Sequence, residues 1–325
     1  MTERWRVLLP PALHPAGPDV LSEFADCTGI DEYDSRADAL ADLDRYDAAV
    51  VRVTEFDAET IADAAAGRLK VISKHGVGLD NVDVEAASAN GVVVCNTPGA
   101  NARSVAEHTI LLLLAVRRNL PAMDRHVREG GWDRSQFTGH EVAGDTLGVY
   151  GLGNIGRETA TLARGMGLSV LAYDRSATPA EAPDGVDLVD DSLALFERAD
   201  AVSLHVPLTA ETRGLVSTPE LRALGPEGVV VNVARGGVVD EDALVAALDA
   251  GEVGGAGVDV FADEPPSEDH PLLDRDDVVL SPHAGSDTEA ALRRTSVRAA
   301  QNVRMVYEGG LPESTVNRDA LVGGE

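Results

Sequence analysis

From residue 146 onward the chain repeats one unit, a short apolar run followed by a helix-forming stretch. The runs fall at residues 147–150, 168–173, 201–204, 229–233, 255–260 and 278–280. Apolar strands that alternate with helices build a parallel sheet covered by helices on its faces. The first hundred residues repeat the theme. Residues 7–9, 48–53, 71–72 and 92–94 read as strands, and residues 37–43, 59–65 and 84–89 as the helices between them. The fold class is α/β: two domains, each a parallel sheet flanked by helices.

Residues 104–118 read as a strong helix, capped by Asn101 or Ser104, with Glu107 three residues after Ser104. Its middle is apolar all round, which predicts burial, and such a helix joins domains or forms a subunit interface. A second helix runs from Pro121 to Gly130-Gly131. The last helix, residues 287–308, carries Arg293, Arg294, Arg298 and Arg304 and is expected to cross back to the first domain, followed by an extended tail at 311–316. The predicted domains are therefore residues 1–100 plus 287–325, and residues 101–286.

Two cysteines, Cys27 and Cys95, leave no disulfide framework and no metal-ligand spacing, so no metal is expected and a reducing cytoplasm fits. No run approaches the ~18 apolar residues of a membrane span. The N-terminus enters a strand-like run at Val7 without the apolar core of a signal peptide. The charge balance is unusual. Fifty-five acids face 27 bases, for a net charge of −28, and only Lys70 and Lys74 of the bases are lysines. Such self-repulsion destabilises a compact state unless salt screens it. A high-salt cytoplasm is the expectation; a merely acidic mesophile protein is the alternative. Either way an acidic surface disfavours nucleic acid and anionic membrane.

Gly151-Leu152-Gly153-Asn154-Ile155-Gly156 follows the strand at 147–150 directly and opens a helix. Glycines at this spacing permit a tight turn, close approach of the backbone to a pyrophosphate, and close helix–strand packing. The helix N-terminus offers free N–H groups to the phosphates. Asp174 follows Gly151 by 23 residues, near the spacing of the acid that binds the adenosine ribose. There a carboxylate accepts from the ribose hydroxyls and repels a 2′-phosphate, which predicts NAD rather than NADP, although the adjacent Arg175 softens that preference. The alternative for Asp174 is a loop acid that caps the next segment. Three later strand ends each deliver one functional group: Arg235 before Gly236-Gly237, Glu264 before Pro265-Pro266, and His283 after Ser281-Pro282. Ligands of open α/β sheets bind beyond the carboxyl ends of the strands.

Together these stretches resemble the D-isomer-specific 2-hydroxyacid dehydrogenase family, and within it the phosphoglycerate dehydrogenase branch, over about residues 45–318. The resemblance implies a Rossmann NAD domain, a flavodoxin-like substrate domain and a common Arg–Glu–His set. Arg235 would hold the substrate carboxylate, as a planar guanidinium suits it. His283 would be the acid/base. Glu264 would bind the other ring nitrogen, fix the tautomer and favour the imidazolium. Further cofactor positions implied are His205, Val206, Pro207 and Thr212 along the adenosine, Val233 and Ala234 beside the nicotinamide, Asp259 on its carboxamide, and Gly285 within the segment closing over the ring.

The loop at Lys74, Gly76, Val77 and Gly78 is similar to the family's carboxylate-binding loop, and Arg52, Lys74 and Arg134 match basic positions of the phosphoglycerate branch. Val77 departs from that branch, which has a hydroxyl residue there. The implied activity is hydride transfer between NAD(H) and D-3-phosphoglycerate/3-phosphohydroxypyruvate, a reaction of serine biosynthesis. Alternatives are a glyoxylate/hydroxypyruvate reductase and an NAD(H)-sensing binding protein like the C-terminal-binding protein corepressors. A homodimer is expected, with Arg134 reaching the neighbouring subunit, and no C-terminal serine-sensing module.

Overall fold

The computed structural model describes residues 3–323, so Met1 and Thr2 of the N-terminal stretch lie outside it. The chain forms two compact units, Met1–Asn101 with Asp287–Glu325, and Ala102–Ser286.

The first unit holds five parallel strands: β1 (Trp5–Leu9), β2 (Ala25–Gly29), β3 (Ala48–Val51), β4 (Val71–Lys74) and β5 (Val93–Cys95). Their spatial order is β2-β1-β3-β4-β5, the flavodoxin-like winding. Strands β3 and β4 are buried throughout and pair with Val51 opposite Lys74, so Arg52 and Lys74 both stand at the carboxyl edge of the sheet. The helix Glu289–Tyr307 lies against this sheet. Its Ala299, Ala300 and Val303 share a core with Val7, Val50 and Val71, and Ser73 Oγ donates to the Ala299 carbonyl at 2.9 Å. Thr288 caps it by accepting from the Ala291 N–H at 3.2 Å. The tail expected to be extended makes one antiparallel bridge, Thr315 to Cys95, and then a short helix, Arg318–Val322.

The second unit holds seven parallel strands: β6 (Thr146–Tyr150), β7 (Ser169–Tyr173), β8 (Val186–Leu188), β9 (Ala201–Leu204), β10 (Val229–Asn232), β11 (Gly255–Val258) and β12 (Val278–Leu280). The order β12-β11-β10-β9-β6-β7-β8 changes its direction of winding between β6 and β9. A crevice opens at such a switch point, and in open α/β sheets it binds the ligand. The helix Ala102–Arg117 covers β10 and β11 closely because β11 is glycine-rich. A Cβ on Gly257 would stand 2.8 Å from Leu112 Cβ, and one on Gly255 2.7 Å from Val116 Cγ1. The helix starts two residues before the expected position, which puts Ser104 inside it. The Asn101 Oδ1 is buried without a partner, so the expected side-chain cap by Asn101 does not form. Most of its apolar run is buried, but Leu111 is 53% exposed. The next helix, Leu120–Arg128, buries none of its residues.

Candidate active site

Strand β6 ends at Tyr150 and the glycine turn begins at once. Gly151 has φ of +97°, and a Cβ there would press on the His205 carbonyl at 2.9 Å. Gly156 sits in the first turn of the helix Asn154–Gly165, where a Cβ would meet the Gly151 carbonyl oxygen at 2.0 Å. Gly153 differs: a Cβ there meets nothing within 4 Å. The outer two glycines therefore serve the fold, and the middle one keeps space open in front of a helix N-terminus. That is the shape a dinucleotide pyrophosphate needs.

Asp174 follows β7 and faces this turn. Its Oδ2 accepts from the Leu152 N–H at 2.8 Å, while its Oδ1 accepts from the Ser176 N–H, the Ser176 hydroxyl and the Ala177 N–H. Burial pushes this carboxyl up, but these donors outweigh it and hold it below the usual carboxylate range. Asp174 thus organises the following loop through Oδ1, as the loop-acid alternative expects, and is tied to the glycine turn through Oδ2. Across the switch point, His205 follows β9. Its Nε2 pairs with Ser203 Oγ at 3.0 Å, and its Nδ1 is buried without a partner. Burial pushes its imidazole down to about 3, so the ring is neutral. Thr212 has its hydroxyl engaged inside its own loop, donating to the Pro207 carbonyl at 2.6 Å and accepting from the Thr209 N–H at 2.7 Å. Val206 is half-buried and Pro207 exposed.

Arg235 stands three residues beyond β10, in a turn built by Asn232. The Asn232 amide donates to the Arg235 carbonyl at 2.9 Å and accepts from the Ala234 N–H at 3.1 Å. Val233 and Ala234 are buried below it. The turn fits only because residue 236 is glycine, where a Cβ would lie 1.8 Å from the Phe261 carbonyl carbon. Arg235 is half-buried, and its Nη1 donates to the Ala234 carbonyl at 2.7 Å.

His283 and Glu264 meet. His283 Nδ1 lies 2.8 Å from Glu264 Oε2, with both side chains partly exposed. The other Glu264 oxygen accepts from the Phe261 N–H at 3.2 Å, which ties the carboxylate to its own loop. His283 has φ of +53°, a left-handed conformation uncommon for a residue with a side chain. Asp259 enforces it. The Asp259 carbonyl accepts from the His283 N–H at 2.7 Å. Its carboxylate accepts from the Ser281 hydroxyl at 2.6 Å, the Ala284 N–H at 2.8 Å and the Gly285 N–H at 3.0 Å. His108 Nε2 completes the ring, 2.8 Å from Ser281 Oγ and 3.2 Å from Asp259 Oδ1. Burial of Asp259 raises its carboxyl, yet these donors hold it below the usual range. The carboxylate expected on the nicotinamide carboxamide is thus the anchor of the histidine loop.

In the first unit the expected substrate loop is held from beneath. The Thr97 hydroxyl accepts from the Gly76 N–H at 3.0 Å and donates to the Gly76 carbonyl at 2.9 Å, and the Asn96 amide donates to the Val77 carbonyl at 3.0 Å. Gly76 has φ of +140°. Val77 is exposed and Gly78 half-buried. Lys74 is 8% exposed, and its ammonium donates to the Arg52 carbonyl at 2.6 Å and to the Asn81 side chain. Arg52 is paired with Asp287, its Nη2 lying 2.8 and 2.9 Å from the two carboxylate oxygens. Arg134 stands in the exposed turn Arg134–Gln136.

Sequence reasoning missed the residues that place the functional ones: Asn232 under Arg235, and Ser281 with His108 around Asp259. Their polarity in apolar surroundings was the available signal. It reads equally as a satisfied core group, which is how His108 reads.

Comparison with known proteins identifies the family. Residues 110–285 match the family model described as D-isomer specific 2-hydroxyacid dehydrogenase, NAD binding domain. A D-3-phosphoglycerate dehydrogenase of Mycobacterium tuberculosis is 44% identical over 315 residues, which is 96% of this chain and 58% of that protein. The chain thus spans under two thirds of that relative. Among solved structures, the TT0316 protein of Thermus thermophilus superposes with a TM-score of 0.86 at 34% identity, covering 96% of this chain and 99% of that one. An NADPH-dependent glyoxylate/hydroxypyruvate reductase of Sinorhizobium meliloti, in complex with NADP and malonate, superposes with a TM-score of 0.82 at 32% identity, covering 96% and 97%. A glycine turn at the switch point, an acid facing it, and a histidine backed by a glutamate near an arginine turn therefore have a known setting: the chain belongs to the D-isomer specific 2-hydroxyacid dehydrogenase family.

Proposed function

We propose that the chain is an NAD-dependent dehydrogenase that interconverts a D-2-hydroxy acid and its 2-oxo acid, with D-3-phosphoglycerate and 3-phosphohydroxypyruvate as the pair. The observation that carries the chemistry is the 2.8 Å contact of Glu264 with His283 Nδ1. With Nδ1 engaged by a carboxylate, Nε2 is the nitrogen left for the substrate hydroxyl. In the oxidative direction His283 Nε2 takes the hydroxyl proton, and Glu264 stabilises the imidazolium that results. Arg235 pairs with the α-carboxylate and polarises the C2 oxygen. Bound NAD supplies the hydride acceptor. Gly151, Gly153, Asn154, Ile155 and Gly156 would hold its pyrophosphate, and the spare acceptor capacity of Asp174 Oδ2 would take a ribose hydroxyl, which supports NAD over NADP.

The phosphorylated substrate rests on Arg52 at the carboxyl edge of the first sheet and on the relatives' names. The rival pair is glyoxylate or hydroxypyruvate, supported by the likeness to the Sinorhizobium meliloti reductase and by Val77. Initial rates with NADH and a panel of 2-oxo acids at high salt decide between them. Turnover of 3-phosphohydroxypyruvate with a kcat/KM above that of hydroxypyruvate supports the proposal. Turnover of glyoxylate or hydroxypyruvate alone rejects it, and NADH binding without turnover of any 2-oxo acid points to a sensor.

A homodimer and a high-salt habitat complete the proposal. Leu120, Val127 and Trp132 are 49%, 52% and 88% exposed within one short stretch, and a cluster of exposed apolar side chains favours a protein partner. No described helix is long and apolar enough to cross a membrane.

A further inference from the structure

Arg52 follows β3 directly and is 27% exposed at its side chain, yet its guanidinium already holds an anion. Nη2 donates to both oxygens of Asp287, the first residue of the chain's return to this unit. Two neighbours frame the pair. The Arg52 backbone carbonyl accepts from the Lys74 ammonium at 2.6 Å, which fixes the main chain from which the guanidinium extends. His75 is 7% exposed with Nε2 unpartnered, and its charged form is disfavoured by burial and by Arg52, so it adds a neutral ring and not a second cation. A phosphate arriving at Arg52 must therefore displace the Asp287 carboxylate or stand beside it, and like charges within a few ångströms repel.

We infer that Asp287 is an internal competitor for the anionic group of the substrate at Arg52, and so a specificity-determining residue that weakens binding of phosphorylated acids relative to unphosphorylated ones. The inference rests on the assignment of the substrate phosphate to Arg52. It goes beyond that assignment because it names what the phosphate must overcome. A partly exposed ion pair is a modest competitor, so the effect is a tuning of affinity and not an on–off switch.

The test uses Asp287→Asn, which keeps the shape and removes the charge, with Asp287→Ala as a second variant. Inorganic phosphate is titrated against each protein by calorimetry at fixed ionic strength, without substrate. Tightening of the phosphate Kd by about 3- to 10-fold in both variants is expected. That gain should vanish in an Arg52→Gln background, and the KM for 3-phosphohydroxypyruvate should fall more than that for hydroxypyruvate. Unchanged or weaker phosphate binding in the variants overturns the competition, as does a gain that survives loss of Arg52. The two readings fail separately. A wild-type protein that ignores 3-phosphohydroxypyruvate while Asp287→Asn still tightens phosphate loses the proposed substrate and keeps the competitor. Turnover of that acid with no change in phosphate affinity keeps the substrate and loses the competitor.

Discussion

At the scale of single residues, the proposal gives the chemistry to His283, and the hydrogen bonds give its positioning to Asp259. His283→Ala should lower kcat by ~10²- to 10⁴-fold, the usual contribution of a positioned acid/base, while the NADH Kd measured by fluorescence changes little. Near-normal kcat would remove His283 from the mechanism. Asp259 is the holding group, and its loss is of another kind. The Asp259→Asn change swaps acceptor oxygens for an amide in front of two backbone N–H donors and a hydroxyl at a position 2% exposed. Stranding buried donors costs about 1–3 kcal/mol, so thermal unfolding should shift down and kcat should fall because the left-handed turn at His283 relaxes. The sign of the pH effect follows from the depressed carboxyl of Asp259. Its stabilisation is present above the unfolded value, near 3.8, and is lost as pH falls through the lower folded value. Acid titration of wild type and variant should therefore show their stabilities converging below about pH 3.8; curves that stay parallel through that range would mean that Asp259 does not carry the effect.

At the scale of elements, the glycine turn separates packing from binding. Gly156→Ala drives a Cβ into the Gly151 carbonyl, so the protein should lose stability by differential scanning fluorimetry before any question of cofactor arises. Gly153→Ala meets no protein atom, so its unfolding midpoint should stay near wild type while the NADH Kd rises about tenfold, since the methyl occupies the pyrophosphate's approach. Equal NADH affinity in Gly153→Ala would move the cofactor away from this turn. The same contrast explains how much was legible in the sequence. Strands made of apolar residues announce themselves as runs, and β3, β4, β6, β7 and β9–β12 all lie within or close to the runs read from the sequence. Strands β2 and β8 did not, because polar residues interrupt them: Asp26 and Thr28 in one and Asp187 in the other break the apolar pattern. Arg235, Glu264 and His283 were expected beyond the apolar runs at 229–233, 255–260 and 278–280, and they stand beyond β10, β11 and β12. Asn232, Ser281 and Asp287 were not legible, because their meaning lies in partners that only the folded chain brings near. His283 is the clearest case, since its positive φ depends on Asp259, 24 residues earlier in the chain.

At the scale of the whole molecule, the charge balance predicts a dependence of stability on salt. With 55 acids and 27 bases, at least 28 carboxylates have no formal counter-charge. Among the described residues only Asp47 and Asp259 of the acids are buried, and Asp47 is neutralised by Arg68 and Lys70. The remaining acids share 15969 Å² of accessible surface, a mean spacing of about 17 Å, which lies inside the ~30 Å screening length of 0.01 M salt and far outside the ~3 Å of 1 M. Dilute buffer therefore leaves neighbouring carboxylates in mutual repulsion across the whole surface, and molar salt removes it. Unfolding relieves that repulsion by spreading the charges, so low salt should favour the unfolded chain. The unfolding midpoint should rise most steeply between 0.01 and ~0.1 M KCl, where the screening length falls from ~30 to ~10 Å and drops below the spacing, and more slowly toward 1 M. Sodium sulfate at equal ionic strength should add stability by its exclusion from the surface, whereas KCl acts through screening alone. Activity should follow the KCl curve up to the point where chloride competes with the substrate anion at Arg235, so kcat should keep its plateau while the substrate KM rises. A midpoint flat from 0.01 to 1 M KCl would show that the acidic surface is not under strain.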